Sequence, residues 1–226
     1  MKKVSIAIDG PSGAGKSTLA RMVAKHFGYI YVDTGAIYRS VGLFVLRKGK
    51  NTASAADVTP LLPEIHLELL YENGVQKMML NGEDVSEAIR MPEVSLAASN
   101  VSAIPQVRAF LLDMQRDMAK THSVVMDGRD IGTVVLPQAD LKIFLTATAE
   151  ERAHRRYKEL LDKKVETTYA AVLEDLKLRD KNDSTRASAP LKAAEDAVLL
   201  NTTGYTLEES FEMIKGLVEG MVKNEP

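Results

Sequence analysis

The sequence predicts an α/β fold: a doubly wound parallel sheet of five strands, with a small antiparallel β insert. Three observations lead there. Short apolar runs alternate along the chain with stretches of helical periodicity. A glycine-rich loop, "GPSGAGKST" from Gly10 to Thr18, follows the first apolar run directly. A single stretch, Glu64 to Val85, breaks the pattern with alternating polarity and two Asn-Gly pairs.

Val4, Ile6 and Ile8 make the first predicted strand, and Tyr29–Val32, Ser123–Asp127, Leu141–Leu145 and Ala197–Asn201 make the other four. All five are short and apolar, the pattern of strands covered on both faces. Between them, Leu19, Met22, Val23 and Phe27 fall on one helical face ahead of Gly28, and further helices are expected over Ala36–Lys48 up to Gly49, Pro105–Ala119 and Ala149–Leu161. Thr148 with Glu151, and Thr206 with Glu209, have capping-box spacing. Leu207, Phe211, Ile214, Val218 and Met221 give the last helix one apolar stripe. Strands separated by helices pair in parallel. In the insert, Asn73-Gly74 and Asn81-Gly82 are hairpin turns, because both central residues of a type I′ turn need positive φ.

Composition narrows the function. With 226 residues, 45% hydrophobic, the chain can bury a full core. A formal net charge of -2 argues against nucleic acid or an anionic membrane as the main partner, so any basic function is local. One such region lies between Glu151 and Lys192, with eleven Lys or Arg against eight Asp or Glu. Absence of cysteine removes disulfides, thiolate catalysis and sulfur-ligated metal, and suits a reducing compartment. Asp9 interrupts the first apolar run long before a secretory core forms, and no run approaches bilayer length, so a cytoplasmic protein is the expectation; a monomer is expected as well. His26, His66, His122 and His154 show no metal or triad spacing and read as structural, and the ten methionines read as packing.

The loop fits G-x-x-x-x-G-K-[ST] through Gly10, Gly15, Lys16 and Ser17. Small residues at Gly10, Pro11, Ser12, Gly13, Ala14 and Gly15 let successive backbone N–H groups point inward, and the helix that follows adds its N-terminal partial charge. The motif implies that Lys16 reaches the outer phosphates of a nucleoside triphosphate and that Ser17 places its hydroxyl on Mg2+, with Thr18 the alternative hydroxyl. A turn made only for tight packing explains neither Lys16 nor Ser17. No Asp has Gly three residues later and no N-K-x-D occurs, which speaks against a GTPase switch; no L-S-G-G-Q occurs either. Arginines and carboxylates instead gather in "DTGAIYR" (33–39), "SNVSAIPQVR" (99–108), "DGRDIGTVV" (127–135) and "RDKNDSTR" (179–186), suggesting a second anionic substrate.

Together with "KIFL" and "EERAHRR", these motifs resemble the bacterial cytidylate kinases, within the nucleoside monophosphate kinase group of P-loop kinases. The likeness runs from the first strand to about Asn201, and adenylate and guanylate kinases share the loop but not the "GRDIGTVV" block. It implies transfer of the γ-phosphoryl of ATP, with Mg2+, to CMP or dCMP. It also implies one P-loop domain over 1–226, with a core (about 1–35, 105–150 and 190–226), a monophosphate-binding region holding the insert (about 36–104) and a lid (about 151–189).

The resemblance assigns Thr34, Ser99, Arg108 and Asp130 to the pyrimidine, Arg39, Arg129 and Arg186 to the monophosphate, and Arg179 and Asp183 to the sugar hydroxyls. Cytosine offers an amino donor beside two acceptors, which suits a carboxylate and a guanidinium; uracil reverses that pattern. Lys16, Arg129, Arg186 and Arg156 are the expected catalytic set. Arg152, Arg155 and Arg156 fit a lid over the triphosphate, although Arg152 and Arg156, at i and i+4 near Glu151 and Glu159, equally fit a solvated ion-paired face. Asp127 has two readings, a metal partner through water or a cap for the turn that follows it. Kinases of other small acceptors share the loop, but they do not need Arg108 and Asp130 for an amino-pyrimidine edge.

Overall fold

The computed structural model describes residues 3–72 and 75–223. Its strands are β1 (Ser5–Asp9), β2 (Ile30–Asp33), β3 (Leu67–Glu72), β4 (Val75–Leu80), β5 (Glu83–Asp84), β6 (Val124–Gly128), β7 (Leu141–Thr146) and β8 (Val198–Asn201). Its helices are α1 (Lys16–Phe27), α2 (Thr34–Arg47), α3 (Ala55–Val58), α4 (Pro92–Ser102), α5 (Pro105–Thr121), α6 (Ala149–Asp162), α7 (Tyr169–Thr185) and α8 (Leu207–Lys223). Two units emerge: Met1–Tyr31 with Ala119–Pro226, and Val32–Met118.

The first unit is built on the five-stranded sheet, in the order β2-β6-β1-β7-β8. β1 lies at its centre, parallel to β6 on one side and β7 on the other, and β7 is parallel to β8. Ile6, Ala7, Ile8, Val124, Val125 and Met126 are wholly buried, as central strands require. The expectation that all five strands are covered on both faces fails at the edge. In β8 only Leu200 is buried, while Val198, Leu199 and Asn201 are exposed, Leu199 at 70%, because this strand lies at the sheet edge with a neighbour on one side only. Leu19 and Val23 of α1 and Ile214 and Val218 of α8 close the core with Ile143 and Leu145. Leu207, counted in the last helical stripe, is 42% exposed, since it sits in the first turn, beyond the sheet-facing part of the helix.

The Thr206–Glu209 capping box closes in both directions: Glu209 N–H donates to Thr206 Oγ1 and Thr206 N–H to Glu209 Oε2 at 2.8 Å. The Thr148–Glu151 box is only half made: Glu151 N–H donates to Thr148 Oγ1, but Thr148 N–H goes to Thr203 Oγ1 and the Glu151 carboxylate to Arg155. Helix α7 had no sequence signal. It buries Val172 and Leu176 against Ala153 of α6, with Thr168 as its cap, and carries polar residues over most of its remaining length.

The second unit packs α2, α4 and α5 with the antiparallel β3-β4-β5 sheet. Register places Leu67 opposite Leu80 and Leu69 opposite Met78. Asn81 and Gly82 take φ of 51° and 83°, the geometry expected of that turn; the other predicted turn, Asn73-Gly74, lies outside the described residues. Helix α4 also had no sequence signal, because its buried positions, Val94, Ala97 and Val101, are few and small. Gly42 lets α2 and α4 approach: a Cβ there would lie 3.0 Å from the carbonyl carbon of Ala97. Among the described residues no helix is long and apolar enough to cross a membrane.

Candidate active site

β1 ends at Asp9, and the chain turns at once through Gly10 at φ 150°, where a Cβ would run into the carbonyl oxygen of Leu145. Gly13 and Gly15 follow at φ 74° and 87°, and a Cβ on Gly13 would lie 3.2 Å from Cβ of Arg152. Gly15 caps α1, so the loop's N–H groups and the helix N-terminus share one locus. Lys16, the first residue of α1, is buried and donates from Nζ to the Pro11 carbonyl at 2.8 Å. Burial, reinforced by the Arg129 charge and partly opposed by Asp127, Asp9 and Asp183, pushes its ammonium down to about 7.

Ser17 Oγ donates to Asp127 Oδ2 and Tyr31 Oη to Asp127 Oδ1, each at 2.8 Å. Of the two candidate hydroxyls, Ser17 is the one against this carboxylate; Thr18 is exposed. A hydroxyl and a carboxylate so close are hard oxygen donors of the kind Mg2+ takes. The turn after β6 is served by Asp9, which accepts from Ile131 N at 2.8 Å and Gly132 N at 2.7 Å. Burial pushes the Asp9 carboxyl up to about 6 even so. Sequence reading passed over Asp9 and Tyr31, because neither belongs to a motif and both partners are distant in the chain.

Arg129 and Asp130, neighbours in sequence, each reach toward the segment over 179–189. Arg129 Nε donates to Asp183 Oδ2 at 2.8 Å, and Arg186 Nη2 lies 3.5 Å from Asp130 Oδ1 while its Nε donates to the Ala189 carbonyl. Burial works against ionisation of Asp183, but the Arg129 guanidinium outweighs it and holds the carboxyl below the usual range. Burial, with the Arg129 charge, lowers Arg179. Four of the residues assigned to the acceptor, Arg129, Asp130, Asp183 and Arg186, thus form two ion pairs, with Arg179 close enough to feel the first.

The α6 arginines divide. Arg156 pairs with Glu159 at 2.8 Å and Arg155 with Glu151 at 3.1 Å, on partly exposed positions, and Arg155 also donates to the Thr202 carbonyl. Arg152 is buried and donates to the Ala147 and Ser12 carbonyls, each at 2.9 Å, and to Asp180 at 2.7 Å. It therefore braces the backbone of the glycine loop, and the solvated ion-paired face describes Arg155 and Arg156 only.

In the second unit, Asp33 caps α2 by accepting from Ala36 N at 2.8 Å and pairs with Arg39 at 2.9 Å. Gly35 gives the room, since a Cβ there would lie 3.0 Å from Arg39 Nη1. The Nε of Arg39 is buried without a hydrogen bond, a donor poised for an anion. Thr34, the first residue of α2, is buried. Arg108 is buried on α5, donates to the Ser102 carbonyl at 3.3 Å and lies over the Tyr38 ring at 5.6 Å from its centroid. Ser99 is half-buried on α4, its carbonyl taken by Ser102 Oγ.

The family model for cytidylate kinase matches residues 6–219. A cytidylate kinase of Caldicellulosiruptor bescii is 50% identical over 225 residues, covering 100% of both chains. One of Carboxydothermus hydrogenoformans is 48% identical over 204 residues, covering 90% of this chain and 92% of its own. A solved structure of an uncharacterized protein from Eubacterium ventriosum shares the fold, with a TM-score of 0.56 at 13% identity over 97% of this chain and 99% of that one. Glycine loop, "GRDIGTVV" block and full-length likeness agree: the chain belongs to the cytidylate kinase family.

Proposed function

We propose that this protein transfers the γ-phosphoryl group of ATP to CMP or dCMP, releasing ADP and CDP or dCDP, and that it does so as a cytoplasmic monomer. The observation that carries the reading is the pairing, within one unit, of a phosphate-type loop with a buried set of guanidiniums already held by carboxylates. Donor phosphates sit on the loop N–H groups from Gly10 to Thr18, with Lys16 exchanging the Pro11 carbonyl for a phosphate oxygen. Ser17, with Asp127 through water, would hold Mg2+, which would supply charge compensation for the triphosphate.

Thr34, Ser99, Arg108 and Asp130 engage the cytosine, Arg39, Arg129 and Arg186 the monophosphate, and Arg179 and Asp183 the sugar. Residues of about 36–104 act as the acceptor region and about 151–189 as the lid, where Arg156 leaves Glu159 for the moving phosphoryl group. Each guanidinium has five N–H donors, more than its carboxylate partner uses, so an ion pair orients the fork without exhausting it. No general base is needed, because the attacking phosphate oxygen is already ionised. Catalysis is then alignment and charge compensation, of which alignment alone is worth roughly 7 to 11 kcal/mol. The test is an acceptor panel with ATP and Mg2+, reading the diphosphate product. CMP and dCMP are expected to be the best acceptors; equal or greater turnover of UMP or AMP overturns the base assignment.

A further inference from the structure

Asp130 stands at the N-cap of the short wide turn Ile131–Val135, a place where an aspartate side chain ordinarily folds back to accept the first backbone N–H groups of its own helix. Here it makes no such bond. The two leading donors, Ile131 N–H and Gly132 N–H, go instead to the two carboxylate oxygens of Asp9, at 2.8 and 2.7 Å, from more than a hundred residues away. The Asp130 carboxylate is turned elsewhere, toward Arg186. We propose that Asp9 is the positioning residue for Asp130: it supplies the cap from β1, so the Asp130 carboxylate is kept off its own turn and held for the acceptor's base.

Three further features support this. Asp9 is buried on the last position of a central strand, paired with Gly128 on one side and Phe144 on the other. The turn lies between Asp9 and Lys142. A Cβ on Gly132 would lie 3.1 Å from Cδ of Lys142, whose Nζ is tied to the Pro137 carbonyl at 2.6 Å and to Asp196 at 2.8 Å, and 3.5 Å from Asp9 Oδ2, so glycine leaves room for the Lys142 stem beside the turn. Like charge on Asp9 and Asp130 also disfavours the arrangement in which both carboxylates crowd the same N–H groups. Asp9 directly precedes Gly10, so the same residue ends the strand that launches the donor loop and anchors the turn that carries Arg129 and Asp130.

The inference rests on the reading that Asp130 meets the base. Its test compares kcat/KM for CMP over UMP in the wild type, Asp130→Asn, Asp9→Asn and the double variant. The side-chain amide introduced by Asp9→Asn would set an N–H against one of the turn's N–H groups, freeing it for Asp130. Asp9→Asn is expected to lower the CMP-over-UMP ratio roughly tenfold, a ratio in which any change in ATP affinity through the Asp9–Lys16 charge cancels, and the double variant no lower than Asp130→Asn alone. If Asp9→Asn leaves the ratio unchanged, or lowers use of both acceptors by one factor, or if the two ratio losses multiply, the positioning role is wrong. If the wild type does not prefer CMP, or Asp130→Asn leaves the preference intact, the base assignment itself fails and takes this inference with it. Should Asp9→Asn not fold, Asp9→Ser is measured in the same way. A crystal structure of the wild-type enzyme showing Asp130 accepting from Gly132 or Thr133 N–H also overturns the proposal.

Discussion

The glycine loop and the arginines gathered from Arg129, α6 and the end of α7 lie in the same unit and are both proposed to take phosphate, yet they are held by opposite means. The loop works through backbone N–H groups, so its requirement is absence of side chain: Gly10 has no room for a Cβ beside Leu145. The arginine region works through buried side chains, so its requirement is charge balance: Arg129 needs Asp183, Arg186 sits with Asp130, and Arg152 with Asp180. A backbone site therefore fails by steric intrusion and a side-chain site by an unpaired charge.

Four substitutions or measurements test this difference. Gly10→Ala has the largest expected effect, a loss of about 3 kcal/mol or more with abolished ATP binding, because the added methyl meets backbone that cannot retreat. Thermal unfolding and nucleotide titration check it, and wild-type behaviour would show that the loop has slack. Asp183→Asn keeps the volume but strands the Arg129 guanidinium; about 2 kcal/mol of stability is expected to go, with KM for CMP rising well above any change in KM for ATP. A loss shared equally between the two substrates would mean the pair is scaffold only.

The third measurement concerns Lys16. A group held at about 7 is mostly neutral at pH 8 in the free protein, and triphosphate oxygens beside it favour the charged form. Binding of ATP at pH 8 is thus expected to take up close to one proton, and at pH 6, where the ammonium is already charged, almost none from this group. Calorimetry in buffers of different ionisation heat reads the uptake, and its absence at pH 8 would mean that Lys16 is not so dehydrated. Smallest is Thr206→Ala, remote from both regions. It removes one capping box of α8 and costs about 1 kcal/mol, with unchanged kcat, as chemical denaturation and the kinase assay would show.

What could be read in advance follows the same division. The loop was legible because its glycines, Lys16 and Ser17 are consecutive, and a strand before and a helix after give such a run one physical meaning. The central strands and capped helices were legible for a similar local reason. Helix α7 was not, since two buried apolar residues, Val172 and Leu176, are too few to mark a helical face. Exposure of β8 was hidden because the apolar run Val198–Leu200 looks the same at an edge as at a centre. The arginine blocks were visible as blocks, and their assignment came from resemblance; that Arg129 pairs with Asp183, that Arg152 faces the loop backbone, and that Asp9 caps a distant turn lay beyond sequence reading.

By itself, then, the amino-acid sequence determined the alternating α/β plan, the glycine loop with its lysine and hydroxyl, and the kinase family these imply, because each depends on residues within one turn or one strand of each other. Only the tertiary structure decided which carboxylate holds which guanidinium, which hydroxyl meets Asp127, and which aspartate serves the turn after β6. Those choices depend on buried charges and N–H groups finding partners far apart in the chain, more than fifty residues for Arg129 with Asp183, Ser17 with Asp127 and Asp9 with Gly132, and the partner is set by strand order and burial, not by spacing.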